Sequence, residues 1–287
     1  MLNYYNKKIY KYIFMDENRK VEFLKNIFPL VNLNEINEII NSKISLDELF
    51  KIHNLNINLN FFILSMPKTG TNTIQHYIEK YKNTNVLSIH TIIEFLYIDK
   101  RFINYTIRNI VEYISTKTRY EKLNIIISYR EPEKRYISRY LWNIKTMGIP
   151  NLFEGIKIID KEIFNQVNCA QVDYNFFIDN LNDFNLNLFK YTYDKKKGYT
   201  IIPYDNKINF VFTIIEDLEK MFKNFLNINI EVVDIINKNE LNNREIFFEN
   251  SLKYKIYDIE RKFINFYYGI DNTIMRDTIQ KSFFFNF

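Results

Sequence analysis

The chain has 287 residues, of which 47% are hydrophobic and 25% are charged, the composition of a soluble globular protein. Its net charge of +5 at pH 7 is compatible with an anionic substrate, nucleic acid or a membrane surface, and selects none of them. The single cysteine, Cys169, excludes an intramolecular disulfide and a multi-cysteine zinc site.

The first residues show no signal-peptide pattern, because Lys7, Lys8 and Lys11 interrupt the apolar positions. No apolar run approaches the length that crosses a membrane. The lone cysteine fits a reducing compartment. We therefore expect a cytoplasmic protein, and peripheral contact with a membrane stays open.

Residues 1–58 predict a helical N-terminal region that packs on a main domain spanning residues 59–287. Ser45 and Glu48 have the spacing of a helix capping box. Two apolar stripes recur at helical spacing, one with Val21, Phe23, Leu24, Ile27 and Phe28, the other with Ile36, Ile39 and Ile40. No cluster of reactive side chains occurs here, so we interpret the region as a structural cap, with a contribution to an acceptor groove as the alternative.

Residues 60–81 predict a strand, a glycine-bearing turn and a helix. The apolar run at 61–64 has the length and β-propensity of a buried strand. After the turn, one helix face is formed by Ile74, Tyr77, Ile78 and Tyr81. This arrangement points the backbone N–H groups and the positive end of a helix dipole at an anion.

Within this turn, Gly70 lets the backbone approach an anion closely and Lys68 supplies a point charge. Hydroxyl donors come from Thr69, Thr71 and Thr73. The turn differs from the nucleoside-triphosphate P-loop, G-x-x-x-x-G-K-[ST], because the lysine precedes the only glycine. The alternative is an ordinary strand-to-helix turn with a solvated lysine.

Further apolar runs predict strands at residues 85–90, 124–129 and 209–215. Helical stretches separate these runs, which indicates a parallel sheet with crossover connections and therefore an α/β fold. Residues 188–203 predict a β-hairpin whose solvated basic tip contains Lys195, Lys196 and Lys197. Residues 252–266 predict a long amphipathic helix, and the aromatic residues at 283–287 either pack on the core or touch a membrane.

Arg130 directly follows the predicted strand at 124–129, at the edge where open α/β sheets bind ligands. Its planar guanidinium can bind two phosphate oxygens, and Ser138 on the following helix can add a hydroxyl donor. Pro132 stands where that helix would begin. The alternative is an exposed basic helix start with solvated charges.

Two motifs resemble those of the sulfotransferases that use 3′-phosphoadenosine 5′-phosphosulfate (PAPS): Pro-Lys-Thr-Gly-Thr after the first strand, and Arg-x-Pro-x-x-Arg-x-x-Ser-x-Tyr after the third. The resemblance implies a P-loop-like parallel sheet of about four or five strands flanked by helices. It implies that Arg130 and Ser138 hold the 3′-phosphate of PAPS. The 5′-phosphosulfate would be held by Lys68, Thr69, Gly70, Thr71, Asn72 and Thr73.

A third segment, Glu216-Asp217-Leu218, also resembles the family, and we interpret Asp217 as structural. The sequence departs from the cytosolic members, because Asn72-Thr73-Ile74 replaces an aromatic residue and the late Arg-Lys-Gly element is missing. The adenine-stacking residue is therefore unassigned. By this resemblance the chain is similar to the carbohydrate-directed or bacterial branch.

Sulfuryl transfer requires an in-line path, a base for the acceptor hydroxyl, and positive charge at the leaving oxygen. Lys68 is the candidate for that charge. His90 ends the second predicted strand, and imidazole titrates in the range that suits a general base. Glu94 is the second candidate for the base. The alternative role for His90 is that of a hydrogen-bonded histidine at a strand end. We interpret His76 as structural. No metal is expected from three scattered histidines and one cysteine.

The sequence therefore predicts a PAPS-dependent sulfotransferase acting on a carbohydrate hydroxyl, in a surface polysaccharide or a glycolipid precursor. No nucleic-acid partner is expected, since no nucleic-acid motif occurs. Two alternatives stay open: a P-loop phosphoryl-transfer enzyme, and a non-catalytic nucleotide-binding protein of polysaccharide assembly. The acceptor, the oligomeric state and the choice between the two bases are not decided by the sequence.

Overall fold

The computed structural model describes residues 17–130, 135, 138, 158–159, 182–186, 188–230, 247–248 and 266–267. These residues form an α/β fold in which helices flank a five-stranded sheet. The chain begins with α1 (Glu17–Ile27), α2 (Leu33–Ile40) and α3 (Leu46–Ile52). The helical N-terminal region is thus confirmed for its described part, and the predicted capping box forms at the start of α3, where Ser45 and Glu48 exchange hydrogen bonds.

The main sheet comprises β1 (Phe61–Leu64), β2 (Val86–Ile89), β3 (Leu123–Tyr129), β5 (Thr200–Pro203) and β6 (Ile208–Ile214). The strands lie in the order β2-β1-β3-β6-β5; the first four are parallel and β5 is antiparallel to β6. Two shorter strands, β4 (Ile158–Ile159) and β7 (Phe247–Phe248), pair with each other in a separate sheet. The four predicted strands are confirmed to within one residue at each end.

The helices that follow β1 in the described residues are α4 (Thr71–Lys82), α5 (Ile93–Ile98), α6 (Ile107–Lys117) and α7 (Leu218–Asn224). Short 3₁₀ turns occur at Lys100–Asn104, Asn182–Phe184, Leu188–Lys190 and Ile215–Asp217. None of the helices in the described part of the chain is both long enough and apolar enough to span a membrane.

Both faces of the sheet are covered, which explains why its central strands read as continuous apolar runs. Successive side chains of β1 point to opposite faces: Phe62 packs with the helices α1–α3, α5 and α6, whereas Ile63 packs with α4 and α7. The predicted face of α4 is buried at Ile74, Tyr77 and Ile78. Tyr81 is 47% exposed, contrary to the prediction, and its ring stacks on Tyr77 at 5.8 Å.

The predicted hairpin at 188–203 is wrong, and the sheet is mixed instead of purely parallel. Leu188–Lys190 is a 3₁₀ turn, and β5 pairs with β6. The reason is the turn that joins β5 to β6, where Asp205 Oδ1 accepts hydrogen bonds from the N–H groups of Lys207 and Ile208, both at 2.7 Å. The basic tip is exposed as expected. The predictions for 252–265 and 283–287 lie outside the described residues.

The strand order creates a crevice between β1 and β3. From β1 the chain runs through α4 to β2 on one side, and β3 lies on the other side with β6 beyond it. Where connections leave in opposite directions, the carboxyl ends of neighbouring strands open a cleft, which is the usual ligand site of such sheets. The predicted anion turn follows β1 and Arg130 follows β3, so the topology brings both to this edge.

Candidate functional site

The loop after β1, residues 65–70, has a backbone shaped for close approach to a ligand. Lys68 and Gly70 both adopt left-handed conformations, with φ of 67° and 86°. This conformation is strained for a lysine, and such strain concentrates at functional loops. Gly70 is also the N-cap of α4 and has no side chain with which to cap the helix. Gly70 therefore makes no side-chain cap to the first N–H groups of α4, and N–H groups at a helix N-terminus are a type of group that can bind an anion.

A buried hydroxyl network fixes this loop to β3. The Thr69 hydroxyl donates to the carbonyl oxygen of Met66 at 2.6 Å, and its Oγ1 lies 2.9 Å from Ser128 Oγ. The N–H of Ser128 donates to Ser65 Oγ at 2.7 Å, and the Ser65 hydroxyl donates to the carbonyl of Ile126 at 3.3 Å. The side chains of Thr69, Ser65 and Ser128 are fully buried. The hydroxyl hydrogen of Thr69 is thus used within the loop, and its side chain holds the loop in place.

The first turn of α4 contains a buried hydroxyl, that of Thr71. Thr71 is 5% exposed, and its Oγ1 has no hydrogen-bond partner among the residues that the structure describes. An unpaired buried hydroxyl costs about 1–3 kcal/mol, so it requires an explanation. Its place at a helix N-terminus makes a bound anion the natural partner. Thr73 is buried, Lys68 is half-buried and Asn72 is exposed.

On the β3 side, Arg130 is half-buried and directly follows the strand. Its carbonyl oxygen accepts a hydrogen bond from the Arg135 guanidinium at 3.4 Å. Arg135 is only 1% exposed, and its guanidinium lies over the Tyr129 ring at 5.2 Å. This buried cation therefore supports the strand end that carries Arg130. Ser138 is half-buried and has a helical backbone. Residues 131–134, with the predicted helix start at Pro132, and residues 136–137 lie outside the described residues.

His90 lies on the other side of the loop, directly after β2. Its ring Nδ1 is 2.5 Å from the carbonyl oxygen of Ser65, the first residue of the loop. The side-chain oxygens of Glu94 accept the backbone N–H groups of His90 at 3.0 Å and of Thr91 at 2.7 Å. The fold therefore brings His90 into contact with the loop that carries Lys68. His76 is exposed on α4 and meets Tyr77 edge-on at 5.5 Å.

The segment after β6 packs against the loop. A Cβ at Gly70 would lie 3.2 Å from side-chain atoms of both Ile215 and Leu218. Asp217 is buried and bound by Lys220 at 2.5 Å and by the Tyr193 hydroxyl at 3.1 Å. Burial and the neighbouring Asp217 raise the pKa of Tyr193. These contacts fit the structural role expected for Asp217.

Sequence reasoning missed Ser65, Ser128 and Arg135 as members of this edge. Their positions carried a signal, because Ser65 ends the apolar run of β1 and Ser128 interrupts that of β3 one residue from its end. A small polar residue at a buried strand end needs a partner: Ser65 Oγ accepts the N–H of Ser128 and donates to the Ile126 carbonyl, and Ser128 Oγ contacts Thr69 Oγ1.

In the described ranges, no three His, Cys, Asp or Glu side chains group closely enough to hold a metal ion. No family model, curated protein or solved structure matches this chain. The functional interpretation therefore depends on the edge formed by β2, β1 and β3.

Proposed function

We propose that this protein is a PAPS-dependent sulfotransferase that transfers a sulfuryl group to a carbohydrate hydroxyl, in a surface polysaccharide or a glycolipid precursor. The observation that carries the proposal is the attachment of the loop at 65–70 to β3 through Thr69 and Ser128. It supports two anion-binding elements on one edge, with Lys68 at one and Arg130 at the other. A ligand with a phosphate at each end of one nucleoside fits this arrangement.

The 5′ end of the donor fits the loop and the start of α4. The left-handed backbone at Gly70, the uncapped helix N-terminus and the unpaired Thr71 hydroxyl are together the features of an anion cradle. The groups that would hold the 5′-phosphosulfate are the charge of Lys68 and the polar groups of residues 69–73. Because the loop is fixed to β3, its donors need little reorganisation on binding.

The 3′-phosphate fits Arg130 and Ser138 on the β3 side. An arginine at a strand end can form two parallel hydrogen bonds with a phosphate, which a solvated lysine cannot. The hydrogen bond from Arg135 to the Arg130 carbonyl holds this strand end, so the guanidinium of Arg130 starts from a fixed backbone.

In the proposed reaction, His90 and Lys68 have different roles. PAPS, when bound, supplies the sulfuryl group. His90 takes the proton of the acceptor hydroxyl, whose oxygen forms the new bond to sulfur, and Lys68 stabilises the charge that develops as the bond to the 5′-phosphate breaks. Sulfuryl transfer resembles phosphoryl transfer in geometry, so positioning and electrostatics supply most of the catalysis.

The test is mass spectrometry of candidate glycans incubated with the protein and PAPS. We expect an added sulfate with the native chain, and a loss of at least about 100-fold in rate for Lys68→Ala and for His90→Ala. Lys82→Ala is the matched control, because Lys82 is exposed at the far end of α4. If no glycan gains sulfate and magnesium-dependent ATP binding is observed, the result would favour the phosphoryl-transfer alternative. Nucleotide binding that tolerates both substitutions would indicate the non-catalytic alternative.

A further inference from the structure

His90 is held at two points, one on its ring and one on its backbone. A carbonyl oxygen can only accept, so the 2.5 Å contact with Ser65 requires that Nδ1 carries the hydrogen. In the neutral ring the lone pair then lies on Nε2. The backbone of the same residue donates its N–H to Glu94 Oε1 at 3.0 Å.

Both oxygens of Glu94 are already engaged by the backbone. Oε1 accepts from His90, while Oε2 accepts from the N–H of Thr91 at 2.7 Å and from its hydroxyl at 3.4 Å. To act as a base, Glu94 would have to release the hydrogen bonds that order the start of α5. Its geometry is that of a carboxylate that holds the turn between β2 and α5.

We infer that Glu94 is a positioning residue and not the base: by binding the backbone N–H groups of His90 and Thr91 it holds the turn from which the His90 ring donates from Nδ1 to the Ser65 carbonyl. Its consequence for catalysis rests on the proposed function. Ser65 begins the loop that carries Lys68. The loop that would bind the donor therefore also holds the ring of the candidate base, His90. The Glu94 carboxylate binds the backbone of His90, and the ring of His90 binds the carbonyl of Ser65.

The chain offers a matched control in Glu48. This residue caps the start of α3 in the same manner, accepting the N–H of Ser45 at 2.9 Å and its hydroxyl at 2.8 Å. It belongs to the N-terminal helices and has no hydrogen bond to the loop or to His90. Glu48→Ala therefore removes an equivalent cap without disturbing the candidate base.

The first test is the tautomer of each histidine, measured by long-range ¹H–¹⁵N correlation in the ¹⁵N-histidine-labelled protein at a pH where imidazole is neutral. We expect His90 as the Nδ1–H tautomer. His53 is an internal contrast, because its Nε2 lies 2.8 Å from Asp99 Oδ2 and should carry the hydrogen. In Glu94→Ala, His90 should become a mixture of tautomers, and in Glu48→Ala it should not change. Should Glu94→Ala misfold, Glu94→Gln, which keeps one acceptor oxygen, should give an intermediate result.

The second test is the pH–rate profile of sulfate transfer. Loss of a positioning hydrogen bond should lower kcat in Glu94→Gln by about 3- to 10-fold while the histidine limb of the profile remains. His90→Ala should abolish that limb. Two tautomer results would overturn the inference: native His90 as the Nε2–H tautomer, or an unchanged His90 tautomer in Glu94→Ala. In the pH–rate profile, it would be overturned if Glu94→Gln removes the histidine limb and His90→Ala retains it. If the tautomers behave as expected but no sulfate is transferred, the proposed function fails and the positioning role of Glu94 stands.

Discussion

Oγ1 of Thr69 lies 2.9 Å from Oγ of Ser128, and both side chains are fully buried. One residue belongs to the loop after β1 and the other to β3, so this contact joins the two strands at the place where their carboxyl ends open a crevice. It ties the loop that contains Lys68 to the strand that Arg130 follows. The candidate site depends on this contact.

Thr69→Val should lower the free energy of unfolding by about 1–3 kcal/mol, because it removes a hydroxyl and leaves the Met66 carbonyl and the Ser128 hydroxyl without this partner. Urea denaturation measures the change. Thr116→Val is the control: its hydroxyl also donates to a carbonyl, that of Tyr113, but on the exposed surface of α6. The control should change stability by no more than about 0.5 kcal/mol. Equal changes in the free energy of unfolding for the two variants would mean that the buried contact stabilises the protein no more than the exposed one.

Gly70→Ala should cost about 1–2 kcal/mol of stability, since an alanine at φ of 86° is strained and its Cβ meets the side chains of Ile215 and Leu218 at 3.2 Å. Gly198→Ala should cost more, because its Cβ would lie 2.5 Å from the Lys220 Cβ and 2.8 Å from a backbone oxygen. Nucleotide affinity should fall more in Gly70→Ala than in Gly198→Ala, because only Gly70 lies in the loop at residues 65–70. Denaturation and calorimetric titration of both variants test the two orders.

Stability should fall in acid partly because of Asp99. Burial opposes ionisation of this carboxyl, but hydrogen bonds from Arg101 and His53 hold its pKa well below its usual range. The unfolded chain therefore binds a proton at Asp99 more readily than the folded one. The resulting stability is present above the ordinary carboxyl pKa of about 3.9 and is lost as pH falls below it.

Asp99→Asn should therefore be less stable than the native chain at neutral pH and should lose less further stability between about pH 5 and pH 3. Denaturant unfolding at several pH values measures this slope. Asp47→Asn is the contrast, because hydrogen bonds from Lys117 and Tyr113 also lower the pKa of Asp47, but at an exposed site. Salt should weaken the Asp47 contribution more than that of Asp99. Identical slopes for the native chain and Asp99→Asn would refute the assignment.

Substitutions at Arg135 should mainly lower stability, and substitution of Arg130 should mainly weaken nucleotide binding. Arg135→Met removes a buried guanidinium that packs on Tyr129 and donates to the Arg130 carbonyl, so it should destabilise the protein by at least about 1 kcal/mol. Arg135→Lys should not restore it, because an ammonium lacks the planar fork. Arg130→Ala should act mainly on nucleotide affinity, because its guanidinium is the proposed 3′-phosphate ligand. Thermal unfolding and nucleotide titration on the three variants would show whether the two arginines differ in this way.

Much of the sheet could be predicted because β1, β3 and β6 are buried on both faces and read as continuous apolar runs. The strand that pairs with β5 could not be predicted, because the short sequence of β5 fits a hairpin with the residues before it or with β6. The turn at Asp205 decides in favour of β6. Lys68, Gly70 and Arg130 could be assigned to this edge of the sheet because Arg130 directly follows a predicted strand and the other two lie in the short loop after one. The contact of Thr69 with Ser128 joins residues far apart in the chain, and local periodicity does not encode which strands are neighbours.

The most direct test of one nucleotide bridging both elements compares two ligands by titration calorimetry: 3′-phosphoadenosine 5′-phosphate and adenosine 5′-monophosphate, which lacks the 3′-phosphate. The native protein should prefer the first by about 10-fold or more, the value of a charge-assisted contact. Lys68→Ala should weaken both ligands together, and Arg119→Ala, at an exposed arginine, should change neither. In Arg130→Ala the preference should fall to about one. A preference that survives Arg130→Ala unchanged would contradict the account.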